Sequence, residues 1–158
     1  MIELDFELPF SSLNDIMDVF LTRGALIRWV FYQDHRNAFA VRVLVPEIEL
    51  EETLLEMAGA LEEPLEVSIL PEGAVVKLDQ AFLTSALIGE KRYPIVVLMH
   101  FETNPRVPDE VQLLTRSDSP KEIISSLLKV SIGPFSLSNP DHTRITRENG
   151  MTRVVISP

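Results

Sequence analysis

The chain opens on a strict alternation. Ile2, Leu4, Phe6 and Leu8 fall on one side of an extended segment, and Glu3, Asp5 and Glu7 fall on the other. That pattern predicts a half-buried strand, ended by Pro9. The period then changes. Leu13, Ile16, Met17, Phe20 and Leu21 recur at helical spacing and predict an amphipathic helix over 12–23. Ser12 and Asp15 read as its capping box, and Gly24 as its stop. Two β-rich runs, 26–33 and 38–45, are joined by the polar 34–37 and predict a hairpin. Both carry apolar side chains on both faces, which implies a sheet covered on both sides. After Pro46, Leu50, Leu54, Ala58 and Leu61 predict a helix over 47–63, closed by Pro64. Glu47, Glu49, Glu51 and Glu52 sit at its positive end, whereas Glu62 and Glu63 sit at the wrong one. Residues 65–70 and 74–78 predict a second hairpin around Pro71-Glu72-Gly73.

Over residues 2–70 the predicted order is β-α-β-β-α-β, that of the ferredoxin-like superfold. The expected class is therefore α+β. A ferredoxin-like N-terminal half has helices 12–23 and 49–62 packed on one face of an antiparallel sheet. Ile2, Leu4, Phe6, Phe20, Val41 and Val43 form its core. A mixed α/β C-terminal half packs on it, with the subdomains at 1–78 and 79–158. In that half, Asp79 caps a short helix over 80–88 that Gly89 ends, and strands follow at 93–102 and 111–116. Ser119-Pro120-Lys121-Glu122 marks a helix start carrying Ile123, Ile124, Leu127 and Leu128. Gly133, Pro134 and Pro140 exclude a long helix beyond it. Asn149-Gly150 predicts a closing hairpin over 142–157. Its register sets Thr146 against Arg153, with Ile145, Val154 and Ile156 buried and Arg144, Thr146 and Arg153 on the outer face.

At 158 residues the chain suits one compact domain or two very small ones. It has no cysteine, which excludes disulfides, thiol catalysis and Cys-based zinc sites. Net charge is −10 and unevenly spread: residues 1–80 hold 16 acids and 5 bases, residues 81–158 hold 8 and 9. A net −11 over the first half opposes nucleic acid and anionic membranes as partners. It suits a solubilising surface, a basic protein partner, or the chain's own second half. No basic leader with an apolar stretch and no bilayer-length apolar run is present, so the expectation is a soluble, cytoplasmic protein.

Candidate chemistry is sparse. His100 and Glu102 share a predicted strand face and could begin a metal site, with Asp141 or His142 as a third ligand. A structural histidine is the simpler reading, so neither metal nor cofactor is expected. His35 sits in a loop and reads as solvated. Nucleophile-elbow and phosphate-loop motifs are absent. Glu52 and Glu56 read as surface acids and not a catalytic pair. Trp29 and Phe31, with Arg42 across the hairpin, form a trio with three uses: stacking bases, covering an interface, or filling the core. The local charge opposes the first. Arg144 and Arg153, flanking Thr146, could hold a small anionic ligand such as a phosphate or carboxylate. The expected function is a non-enzymatic regulatory or small-ligand-sensing module that self-associates. The alternatives are an acidic adaptor for a basic protein, or a small enzyme with a scattered site around His100, Glu102 and Arg144.

Overall fold

The computed structural model describes residues 1–70, 78–123, 131–132, 135–136 and 140–157. Its main body is a nine-stranded antiparallel sheet. In chain order the elements are β1 (Ile2–Pro9), α1 (Leu13–Thr22), β2 (Leu26–Gln33), β3 (Ala38–Val45), α2 (Leu50–Ala60), β4 (Leu65–Leu70), β5 (Leu78–Ile88), β6 (Lys91–Phe101) and β7 (Glu110–Arg116). The short β8 (Ser131–Ile132) and β9 (Phe135–Ser136) follow, then β10 (Thr143–Glu148) and β11 (Met151–Ile156). Across the large sheet the order is β10-β11-β7-β6-β5-β4-β1-β3-β2, and β8 pairs with β9 separately.

This corrects the ferredoxin-like expectation. The first four strands do not close a unit of their own under two helices. The sheet continues past β4 into β5, and α2 lies chiefly over β5 and β6, which that unit lacks. One apolar core runs from Leu4, Phe20 and Val43 through Leu54 and Leu55 to Leu83, Val96 and Leu114. The protein is thus mostly antiparallel sheet with few, short helices.

The decisive departure is β5. In place of the helix expected over 80–88, these residues belong to an eleven-residue strand between β4 and β6. Phe82, Thr84 and Ala86 alternate with Ala81, Leu83 and Ser85, a period of two that fits a buried strand as well as 3.6 fits a helix. Gly89 has φ +64 and serves as the first residue of a two-residue turn pairing Ile88 with Lys91. A glycine there suits a type II′ hairpin as readily as a helix end.

Smaller corrections share one cause, the way each helix is entered or left. A 3₁₀ turn, Phe10–Ser12, leads straight into α1, so Ser12 is already helical in its backbone and makes no capping bond. Another, Glu47–Glu49, precedes α2. That helix ends at Ala60 with Leu61 extended, which leaves Glu62 and Glu63 outside it. Arg92 from β6 donates to the Leu61 carbonyl at 3.1 Å. Helix starts again at Lys121, where the Ser119 hydroxyl bonds that of Thr115 at 2.8 Å. The expectations for Pro71-Glu72-Gly73 and 74–77, for Ile124, Leu127 and Leu128, and for Gly133 and Pro134 lie outside the described residues.

The hairpins follow their turn residues. Asn149 and Gly150 take φ of +51 and +77, the left-handed pair a type I′ turn requires. Thr146 then faces Arg153 and Glu148 faces Met151. Val154 and Ile156 are buried in a second apolar cluster with Val97, Val111 and Leu113. Ile145, expected to join them, is 53% exposed, because β10 is an edge strand. Ile2 is only half-buried at the rim of the core.

Candidate functional site

The register of β5, β6 and β7 sets Asp79, His100 and Glu110 side by side, since Asp79 faces His100 and His100 faces Glu110. Two residues along the same rows, Ala81, Leu98 and Gln112 align. Leu50 at the start of α2 overhangs this corner. Together with Ile2, Ile69 and Leu98 it lines a cavity of about 270 Å³ whose polar rim is Asp79, His100, Glu110 and Gln112.

The rim is hydrogen-bonded in two chains. His100 contacts Asp79 through Nδ1 and Glu102 Oε1 through Nε2, the latter at 3.0 Å. With a carboxylate at each ring nitrogen the imidazolium is favoured. Its pKa is raised by Glu102 first, against partial burial, and then by Asp79. The Asp109 carboxylate accepts from the backbone N–H of Thr103 at 3.0 Å and from that of Glu102 at 2.5 Å, which holds it below the usual carboxylate range. In the second chain, Gln112 Nε2 donates to Glu110 Oε2 at 2.9 Å, and Arg153 Nη1 donates to Gln112 Oε1 at 2.8 Å. The other arm of Arg153 reaches Glu51 of α2.

Arg153 is one of three arginines that clamp the acidic face of α2. Arg116, at the end of β7, donates from Nη1 to both Glu52 oxygens at 2.8 and 3.1 Å. Arg23, just past α1, reaches Glu49 at 3.0 Å and also Glu56. The glutamates expected as a free acid surface are therefore tied to β7, β11 and the end of α1. Part of the charge asymmetry between the halves is answered inside the molecule. Arg153 and Glu51 are each about 30% exposed on their side chains, so their pairing is screened. Arg153→Ala should cost about 0.5–1 kcal/mol, and a double-mutant cycle with Glu51→Ala should return most of it as coupling. Additive single effects in urea unfolding would contradict the pairing.

The other residues singled out from the sequence scatter. Trp29 does pair with Arg42 across β2 and β3. The guanidinium lies 5.2 Å from the indole centroid, and Phe31 lies 5.1 Å from Trp29. The trio is not core: it stands on the opposite sheet face from Val41 and Val43, and Phe31 is 61% exposed. Arg42 is committed to Asp5, donating from Nε and Nη2 at 2.6 Å each. Arg144 is exposed beside a shallow pocket with Glu110, Asp141 and His142, and does not converge with Arg153 on an anion site. Among the described residues no three His, Asp or Glu side chains converge as metal ligands around His100 and Glu102. Asp79, Glu110 and Gln112 escape a reading of the sequence alone. Their only signal is the strand pairing of 78–88, which a helical reading hides.

No helix among the described residues is long and apolar enough to cross a membrane. Compared with known proteins, the chain matches no family model, and neither the curated proteins nor the solved structures include one that matches it.

Proposed function

We propose that this chain is a non-enzymatic, small-ligand-sensing module, and that its ligand is a small molecule with an apolar body and a positively charged head. The observation behind this reading is the cavity beside Leu50, lined by the apolar Ile2, Ile69, Leu98 and Met99 together with Asp79, His100, Glu110 and Gln112. Ligand sites are concave and mostly apolar, with a few polar groups that fix orientation. At about 270 Å³ this one falls just below the ~300–1,000 Å³ usual for larger ligands, so a small molecule fits it. Asp79, Glu102, Asp109 and Glu110 outnumber His100 and Arg153 locally, which favours an ammonium over a carboxylate.

Hexylamine and hexanoate share the apolar body and differ in the head. Hexylamine should raise the melting temperature progressively with its concentration, as binding to the folded state alone requires, and hexanoate should not. Glu110→Gln should abolish the amine effect while leaving the unliganded melting temperature nearly unchanged. Equal shifts from both probes, or none from either, would sink the reading.

A further inference from the structure

The large sheet ends in two edge strands that differ in kind. β10 reads Thr-Arg-Ile-Thr-Arg-Glu, with one apolar side chain in six and three charges. Such an edge is guarded, because an incoming strand must desolvate charge to pair with it. β2 reads Leu-Ile-Arg-Trp-Val-Phe-Tyr-Gln, with Arg28 as its single charge, set at a bulge between Ile27 and Trp29. Among the described residues β2 pairs with β3 alone, so its outer backbone groups face solvent. Leu26, Ile27, Val30, Phe31 and Tyr32 are all exposed, on both faces of the strand. Phe10, 60% exposed, extends the patch by packing on Phe39 and Tyr32 at centroid distances of 5.6 and 6.1 Å.

We propose that β2 is the interface for a second copy of this chain, joined edge to edge so that two sheets continue as one. Three observations favour a second copy in this arrangement. First, the patch is large: six side chains in water expose on the order of 500 Å², within the range at which surface patches are commonly functional. Pairing the backbone along β2 as well brings each side towards the ~800 Å² of a standard interface. Second, the net charge of −10 does not reach this edge, where β2 contributes one arginine already bonded to Glu3 at 3.4 Å. Third, head-to-tail growth through β10 meets Arg144, Arg147 and Glu148, which leaves the closed two-fold contact.

The two-fold restricts the register. Antiparallel copies in one sheet are related by an axis normal to it, and that axis keeps each face on its own side. Residues that meet must then lie an even number of positions apart along the regular stretch after the bulge. An axis through Val30 sets it against Val30 of the partner subunit and sets Trp29 against the partner's Phe31. Two aromatic pairs then cover the face that the trio leaves open.

This inference does not depend on the cavity ligand. Light scattering over micromolar concentrations should give twice the 17.8 kDa chain mass. Phe31→Lys with Tyr32→Lys, one charge on each face of an exposed strand, should return the mass to monomer with an unchanged circular dichroism spectrum. Because the chain has no cysteine, Val30→Cys introduces a single thiol, and mild oxidation should link it to its own copy. Thr146→Cys on β10 is the control and should give no such link. A monomer mass throughout, a dimer that survives both lysines, or equal linking at β10 would overturn the proposal. Linking at β10 alone would move the interface to the other edge and overturn it equally.

Discussion

Phe20→Ala should lower the unfolding free energy by about 3–5 kcal/mol, the usual range for removing a buried phenyl ring. Phe20 lies on the inner side of α1 and is fully buried. Its ring meets that of Phe6 at 5.7 Å with a tilt of 36°. Ile16, one turn earlier, is buried in the same cluster. Alanine would leave a void that neither the strand nor the helix can collapse into without breaking its own hydrogen bonds. Domains of this kind are stable by only ~5–15 kcal/mol, so the variant should unfold at much lower urea. Leu21→Ala, on the neighbouring but exposed position, should change stability by no more than about 0.5 kcal/mol. Similar losses at both sites would mean that α1 does not bury the face described.

Phe6 and Phe20 also show why parts of this fold can be read directly from the sequence. In β1 and α1 a single period dominates, because each element has one wet side and one dry side. Leu4, Phe6, Leu8, Ile16 and Phe20 therefore announce themselves, and all are buried. The closing hairpin is legible for another reason: Asn149-Gly150 has few alternatives to a type I′ turn, and that turn sets the pairing of Thr146 with Arg153. β5 is not legible. Apolar side chains fall on both of its faces, with Ala81 and Leu83 buried on one and Phe82 half-buried on the other, so no polar alternation remains to separate a period of 2 from one of 3.6. Asp79 near its start and Gly89 after it fit a capped helix as well as a hairpin. Misreading that strand hides the continuity of the sheet.

The candidate site is lost with β5. His100, near the end of β6, and Glu102, just past it, are two apart in the chain and visible together, but Asp79 becomes a neighbour of His100 only through the β5–β6 register. Arg153 and Glu51 are separated by 102 residues, and no local pattern announces such a pair. The acidic run on α2 therefore reads as solvated surface. What the sequence does carry is the imbalance between halves, −11 against +1, of which Arg116 and Arg153 are the structural answer.

Leu83→Pro tests the placement of β5 with the next largest effect. Leu83 is fully buried and lies between Leu65 of β4 and Val96 of β6. Proline there removes a ladder donor and forces its ring into a strand hydrogen-bonded on both sides, where proline is essentially not found. Leu83→Ala alone should cost about 2–5 kcal/mol through the cavity it leaves. Leu83→Pro should cost on the order of 3 kcal/mol more than that, enough to abolish cooperative unfolding in a domain of ordinary stability. Ser85→Pro, two residues further along β5 and past its last pair with β4 at Leu65–Leu83, has β6 as its one strand neighbour, so it should be milder than Leu83→Pro. The comparison is made by urea unfolding with far-UV circular dichroism for each variant. Proline and alanine equally tolerated at position 83 would place it outside a central strand, and the Asp79–His100–Glu110 row would fall with it.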